Sequence, residues 1–163
     1  MEQTFSNDNL TFEMYSNFNK DHSIFLEKFG NDPDINEYIE EWQDLTKKSL
    51  EHNNTIFSYV VKSGDNLIGL CILCFVSDES VVLSLGILPE YRGYNYAEEI
   101  RIGVINVLKN EGIKKVVGYV RIDNENSIKN LNKNGYECNR KSKTNLCEVK
   151  YIDLENNMDL KRK

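Results

Sequence analysis

The chain's 163 residues, 40% of them hydrophobic and carrying a formal net charge of −6 at pH 7, suffice for one sizeable core and fall short of two ordinary ones, so residues 1–163 are expected to form a single domain. The acidic balance argues against a phosphate-backbone partner, and no apolar run approaches the length of a membrane span. The N-terminus lacks a basic region followed by an apolar core, which points to a cytoplasmic protein with neither nucleic acid nor membrane as partner.

A first strand is expected near Leu10 to Ser16, then helical segments near Asn17 to Phe29 and Pro33 to Leu50, the second opened by a proline suited to a first turn. In that second segment Tyr38, Trp42 and Leu45 make an apolar stripe, and Glu37, Glu40 and Glu41 belong to a solvated face. Phe57 to Lys62 and Leu67 to Val76 read as a hairpin over Ser63-Gly64-Asp65-Asn66, and Ser77-Asp78-Glu79-Ser80 turns into a further strand, Val81 to Leu88. Pro89 ends that strand, and a helix begins near Tyr96. Ala97, Ile100, Val104, Val107 and Leu108 recur at spacings of three and four and give the helix one apolar stripe. Glu98 and Glu99 suit its positive end, and Gly112 is a plausible stop.

A strand over Lys115 to Arg121 completes a βαβ unit, whose two strands are expected to be parallel. A short helix from about Asn124 to Asn134 is closed by Gly135; Tyr136 to Lys141 and Leu146 to Leu154 finish the sheet, and the tail from Glu155 is expected to fray. Cys71 and Cys74 lie in an apolar strand, where positions i and i+3 face opposite sides, so a shared metal is not expected. Cys138 and Cys147 could meet across a hairpin turning near Ser142-Lys143, yet a cytoplasmic pair stays reduced. His22 and His52 have no ligand spacing, and no metal site is expected.

Between Arg92 and Ala97 the backbone N–H groups stand at a helix N-terminus, where they bind an anion such as a diphosphate without needing a lysine. Arg92-Gly93-Tyr94-Asn95-Tyr96-Ala97 resembles the Arg/Gln-x-x-Gly-x-Gly/Ala pyrophosphate signature of the GNAT acetyltransferases, through Arg92-Gly93 and Ala97. Further along, Asn124-Glu125-Asn126-Ser127, then Leu131, Lys133 and Gly135-Tyr136, is similar to the Asn-x-x-Ser…Lys-x-Gly-Phe segment in the branch containing the ribosomal-protein N-terminal acetyltransferases. The resemblance spans roughly Ile68 to Tyr136; outside it only the pattern of elements fits.

The resemblance implies the α/β mixed sheet of a GNAT fold, in which the strand before the cradle and the strand after its helix splay apart at a bulge and the pantetheine arm of acetyl-CoA fills the gap. Gly86 is the expected bulge, since a glycine inside a strand commonly marks one. The implied cofactor contacts are Leu85, Ile87 and Leu88, the loop residues Arg92, Gly93, Tyr94, Asn95, Tyr96 and Ala97, and Asn124 and Ser127. Asn124 has a second reading as a helix cap, and Ser127 as a residue facing water. The backbone N–H at Leu85 is the implied oxyanion donor.

The implied activity is acetyl transfer from acetyl-CoA to a primary amine of a small molecule, peptide or protein N-terminus by direct attack, in a monomer or homodimer. A non-catalytic acyl-CoA-binding protein on the same fold is the alternative. A lysine-like amine, with a pKa near ~10.4, must first lose a proton. Ser84, Tyr119 and Arg121 stand near the splay, yet none is a strong base. Glu37, Glu41 and Trp42 fall where the family commonly walls its acceptor site.

Two residues depart from the family pattern. Asn95 replaces the second signature glycine, but asparagine tolerates positive φ and keeps its backbone N–H. Leu131 stands where many relatives carry a tyrosine that protonates the leaving thiolate; water, Ser127 or the Tyr136 hydroxyl would have to substitute.

Overall fold

The structure is a computed structural model and describes residues 1–16, 19–23, 27, 55–141 and 144–154. Two short strands, β1 (Thr4–Ser6) and β2 (Thr11–Met14), precede β3 (Thr55–Ser63), β4 (Asn66–Ser77) and β5 (Ser80–Ile87). Helix α1 (Tyr96–Asn110) leads to β6 (Lys115–Arg121), α2 (Glu125–Lys133), β7 (Cys138–Arg140) and β8 (Leu146–Asp153). The strands form one eight-stranded sheet in the order β1-β2-β3-β4-β5-β6-β8-β7. This is the mixed sheet expected from the sequence: β5 and β6 are parallel, and the other neighbours are antiparallel.

The expected first strand shrinks to β2, and β1 was not expected at all. It is three residues long, and only Phe5 of it is buried, stacked on Phe12 at 4.5 Å between ring centroids. So short a strand leaves almost no alternation to read. Of the expected helix Asn17 to Phe29, residues 20–23 and Glu27 are helical. The helix expected over Pro33 to Leu50, and the tail from Glu155, lie outside the described residues.

The hairpin β3–β4 turns at Gly64-Asp65, and the stretch Ile68 to Cys74 in β4 is buried without interruption, because both faces of this strand are covered. On one face, Leu73, Val81, Leu83 and Val116 pack with Ile100, Val104 and Leu108 of α1 and with Leu131 of α2. Ile100, Val104 and Leu108 are fully buried, each contributing about 1.5–3 kcal/mol by removal from water. A smaller cluster of Val60, Leu70, Ile72 and Leu88 uses the alternate strand positions and so lies on the opposite face. Helix α1 stops at Gly112, whose φ of 85° takes the left-handed conformation that ends helices.

The expected bulge at Gly86 is absent: Leu70 faces Gly86 and Cys71 faces Leu85 in unbroken register. The β4–β5 register shifts only beside its turn, between Phe75 and Ser77, and another irregularity lies two strands away, between β6 and β8. Val116 faces Ile152 and Val117 faces Lys150, which leaves Tyr151 of β8 as the extra residue. The Tyr151 ring turns onto Gly118, where a Cβ would come within 2.8 Å of the ring and 3.2 Å of the Leu83 carbonyl oxygen. A strand can part from its neighbour without a bulge of its own when its partner carries one.

Candidate active site

Strands β5 and β6 pair only over Ser80–Val82 and Lys115–Val117, and beyond Val82 they diverge. The Leu88 N–H donates to the Ile68 carbonyl at 2.9 Å, so by antiparallel alternation Gly86 and Ser84 exchange bonds with β4. The main-chain groups of Leu85 and Ile87 then point away from β4, into the gap. The Ile87 carbonyl is taken: it accepts the Arg92 Nε–H at 3.1 Å.

A single 3-10 turn, Pro89–Tyr91, follows β5. Within it the Tyr91 N–H donates to the Leu88 carbonyl and the Arg92 N–H to the Pro89 carbonyl. Arg92 is thereby held at both ends by the chain it leaves. From Gly93 to Ala97 the backbone N–H groups donate to nothing among the described residues. Asn95 sits at the start of α1 with φ 65° and ψ 19°, and its side chain makes no capping bond. The loop therefore ends in a cluster of uncommitted donors at the positive end of a fifteen-residue helix, an arrangement suited to anions.

The opposite wall comes from α2. Asn124 caps it, its Oδ1 accepting the Ser127 N–H at 3.2 Å. Asn126, Ser127, Asn130 and Lys133 recur on one helical face and border the same space, a cavity of about 790 Å³. Its inner lining is Leu85, Gly86 and Ile87, its loop side Tyr91 to Ala97 without Tyr94. Between the helices lies a buried ion pair. Arg101 donates to Glu98 at 3.1 Å and to Asn130 at 3.2 Å, so one guanidinium ties α1 to α2. Burial raises the Tyr151 hydroxyl pKa against the lowering pull of this same Arg101.

The structure thus brings together Leu85, Ile87, Arg92, Gly93, Asn95, Tyr96, Ala97, Asn124 and Ser127 around one cavity. It does not bring Leu88 or Tyr94 to that cavity: Leu88 is buried in the second cluster and Tyr94 is 68% exposed. Ser84 stands opposite Ile72, on the sheet face turned away from α1. Tyr119 donates to Glu148 at 3.2 Å, and Arg121 pairs with Asp123, so both are engaged outside the cavity lining. The Tyr136 side chain is 1% exposed and packs edge-on against Tyr151, away from any position as an acid in the cavity. Glu37, Glu41 and Trp42 lie outside the described residues. Cys138 faces Val149 and Cys147 faces Arg140, which offsets the two cysteines, and both are free.

Arg101, Asn126, Asn130 and Lys133 were not read from the sequence as site residues. For Arg101 a signal existed, since it falls inside the stripe of Ala97, Val104 and Leu108, where a lone charge asks for a partner three residues away. Among the described residues no three potential metal ligands cluster, and no helix is long and apolar enough to cross a membrane.

Residues 8–137 match the family model described as an acetyltransferase (GNAT) domain. No curated protein sequence matches the chain. Among solved structures the chain is similar to the N-acetyltransferase PseH of Campylobacter jejuni, at 15% identity and a TM-score of 0.62, covering 88% of this chain and 97% of that one. It is also similar to the spermidine N-acetyltransferase of Vibrio cholerae, at 17% identity and a TM-score of 0.64, covering 93% and 98%. A GNAT-family acetyltransferase of Elizabethkingia anophelis with acetyl-CoA bound is similar at 15% identity and a TM-score of 0.64, covering 88% and 98%. With its sheet parted beside a helix N-terminus rich in free donors, the chain belongs to the GNAT family and is an N-acetyltransferase that uses acetyl-CoA.

Proposed function

We propose that the acceptor is a primary amine of a small molecule or peptide, attacked while both partners are held at the splay of β5 and β6. The observation that carries this reading is the parallel pairing that ends at Val82 and leaves the Leu85 main chain facing an open gap. The residues present suit acetyl-CoA: free N–H groups from Gly93 to Ala97 for the diphosphate, the strand-like edge at Leu85 and Ile87 with Asn124 and Ser127 for the pantetheine arm. Bound there, the cofactor supplies a thioester as the acyl donor.

The chain's own part is chiefly positional and electrostatic. The Leu85 N–H would stabilise negative charge on an acyl oxygen held in the gap, and a donor of this kind is worth about 2.7–4 kcal/mol in other acyl-transfer enzymes. Leu85 and Ile87 make the sheet side of the cavity apolar, which strengthens that interaction. With Leu131 buried and Tyr136 in the core, Ser127 is the hydroxyl from the sequence reading that borders the cavity. Glu37, Glu41 and Trp42 would recognise a cationic acceptor. The segment from Asn124 to Tyr136 supports a relation to the ribosomal-protein branch, and the likeness to a spermidine enzyme supports a polyamine; both belong in the substrate panel. Cysteines that are all free suit a cytoplasmic setting.

The test is release of free thiol from acetyl-CoA with a panel of polyamines, amino sugars and peptides bearing a free α-amine. One class should give saturable turnover that disappears when the amine is blocked. Tight acetyl-CoA binding without thiol release from any amine would overturn the acceptor reading.

A further inference from the structure

The cations bordering the cavity are Arg92, Arg101 and Lys133, and they differ in what they are free to do. Arg92 Nε is spent on the Ile87 carbonyl. Arg101 is buried against Glu98, which cancels its charge. Lys133 is exposed, lies in the last turn of α2, and has neither ion pair nor hydrogen-bond partner among the described residues. It stands three residues after Asn130, which Arg101 fastens to α1, so it overlooks the groove between the helices and not the gap in the sheet.

The cavity therefore has two sides of opposite character. Its sheet side is the main chain of Leu85 to Ile87 with the apolar side chains of Leu85 and Ile87; its α2 side includes Asn126, Asn130 and Lys133; the free N–H groups belong to the loop that opens α1. With the diphosphate at the loop and the thin arm running inward, the nucleoside end falls in the groove between the helices. The 3′-phosphate of CoA is carried by the ribose joined to that diphosphate, within one sugar ring of it. We propose that Lys133 binds this 3′-phosphate and makes the enzyme prefer CoA over its 3′-dephospho form. The inference rests on the cofactor reading given above. A lysine on a flexible stem suits a rotating phosphomonoester, where one strong point charge matters more than a fixed fork.

Equilibrium binding of CoA and of 3′-dephospho-CoA, followed by calorimetry and by melting temperature, tests this without any amine. The wild-type protein should favour CoA by about fivefold at low salt, the scale of one solvent-exposed ion pair, and the preference should shrink as salt is added. In Lys133→Ala the preference should vanish because CoA weakens to the level of the dephospho form, whose own affinity stays within about twofold of wild type. Lys133→Arg should keep most of the preference. Equal affinity of the wild type for both ligands, or an equal loss of both in Lys133→Ala, would overturn the assignment while leaving the cofactor reading intact. Failure of both ligands to bind the wild-type protein would sink the two readings together.

Discussion

Replacing Asn95 separates what its backbone does from what its side chain does. The residue holds φ at 65°, in the left-handed region, and its side chain makes no capping bond, so truncation removes no hydrogen bond. A left-handed conformation costs an ordinary L-residue roughly 1–2 kcal/mol, and asparagine pays less than alanine. Asn95→Ala should therefore lose about 1 kcal/mol, a drop of about 2–4 °C in Tm for a chain of this length. Asn95→Gly gains the conformation without strain but loses more entropy on folding, and the two changes nearly cancel to within about 0.5 kcal/mol. If the loop binds diphosphate through main-chain donors alone, both variants should keep the full rise in Tm on adding CoA, about 2.7 kcal/mol of stabilisation at a hundred times Kd. The assay is thermal melting of wild type and both variants, each with and without CoA. An Asn95→Ala protein as stable as wild type would refute the strain argument, and loss of the CoA effect in Asn95→Gly would show that the side chain itself holds the ligand.

Other outcomes follow from buried charge, close contact and pH. Glu98→Ala strands the Arg101 guanidinium without its carboxylate and should cost about 3–5 kcal/mol in urea unfolding; a loss under 1 kcal/mol would mean that Arg101 finds water instead. Gly118→Ala puts a Cβ 2.8 Å from the Tyr151 ring and should cost about 1–3 kcal/mol, an effect that Gly118→Ala combined with Tyr151→Leu should largely relieve. Lys62 donates to Glu13 at 2.9 Å and holds its carboxyl below the ordinary 4.5, with burial opposing and His22 assisting from 3.6 Å. A lowered folded-state pKa gives stability that is full above the unfolded value and is lost as pH falls through the folded one. Lys62→Met should thus be about 1 kcal/mol less stable at pH 7, and the gap should close below pH 4.5; a gap that stays constant to pH 3 would contradict the pairing.

The βαβ core was legible because three signals agreed there: Pro89 closing a strand, a stripe at helical spacing from Ala97 to Leu108, and an apolar run at Lys115 to Arg121. The loop was legible through the tolerance of asparagine for positive φ. What stayed hidden depends on contacts distant in sequence. Glu98 read as a first-turn acid suited to the helix dipole, and only the approach of α2 shows it buried against Arg101. Gly86 suggested a bulge because a glycine in a strand is conspicuous, whereas the extra residue is Tyr151 of β8, whose ring is accommodated only because Gly118 has no side chain. Ser84 and Tyr136 lie near the site along the chain, which says nothing of the face each side chain takes; Tyr119 lies on the facing strand but is engaged by Glu148.

Strand β8 lies between β6 and β7, although it is the last of these to be made. Until it arrives, β6 is tied to the sheet through three residue pairs with β5, and seven more come only with β8. A growing chain that has already produced α1, α2 and the whole donor-rich loop still lacks the Tyr151 wedge behind Gly118. The cleft is thus finished only once β8 has been made, and capture of the cofactor reports that this strand has reached its slot.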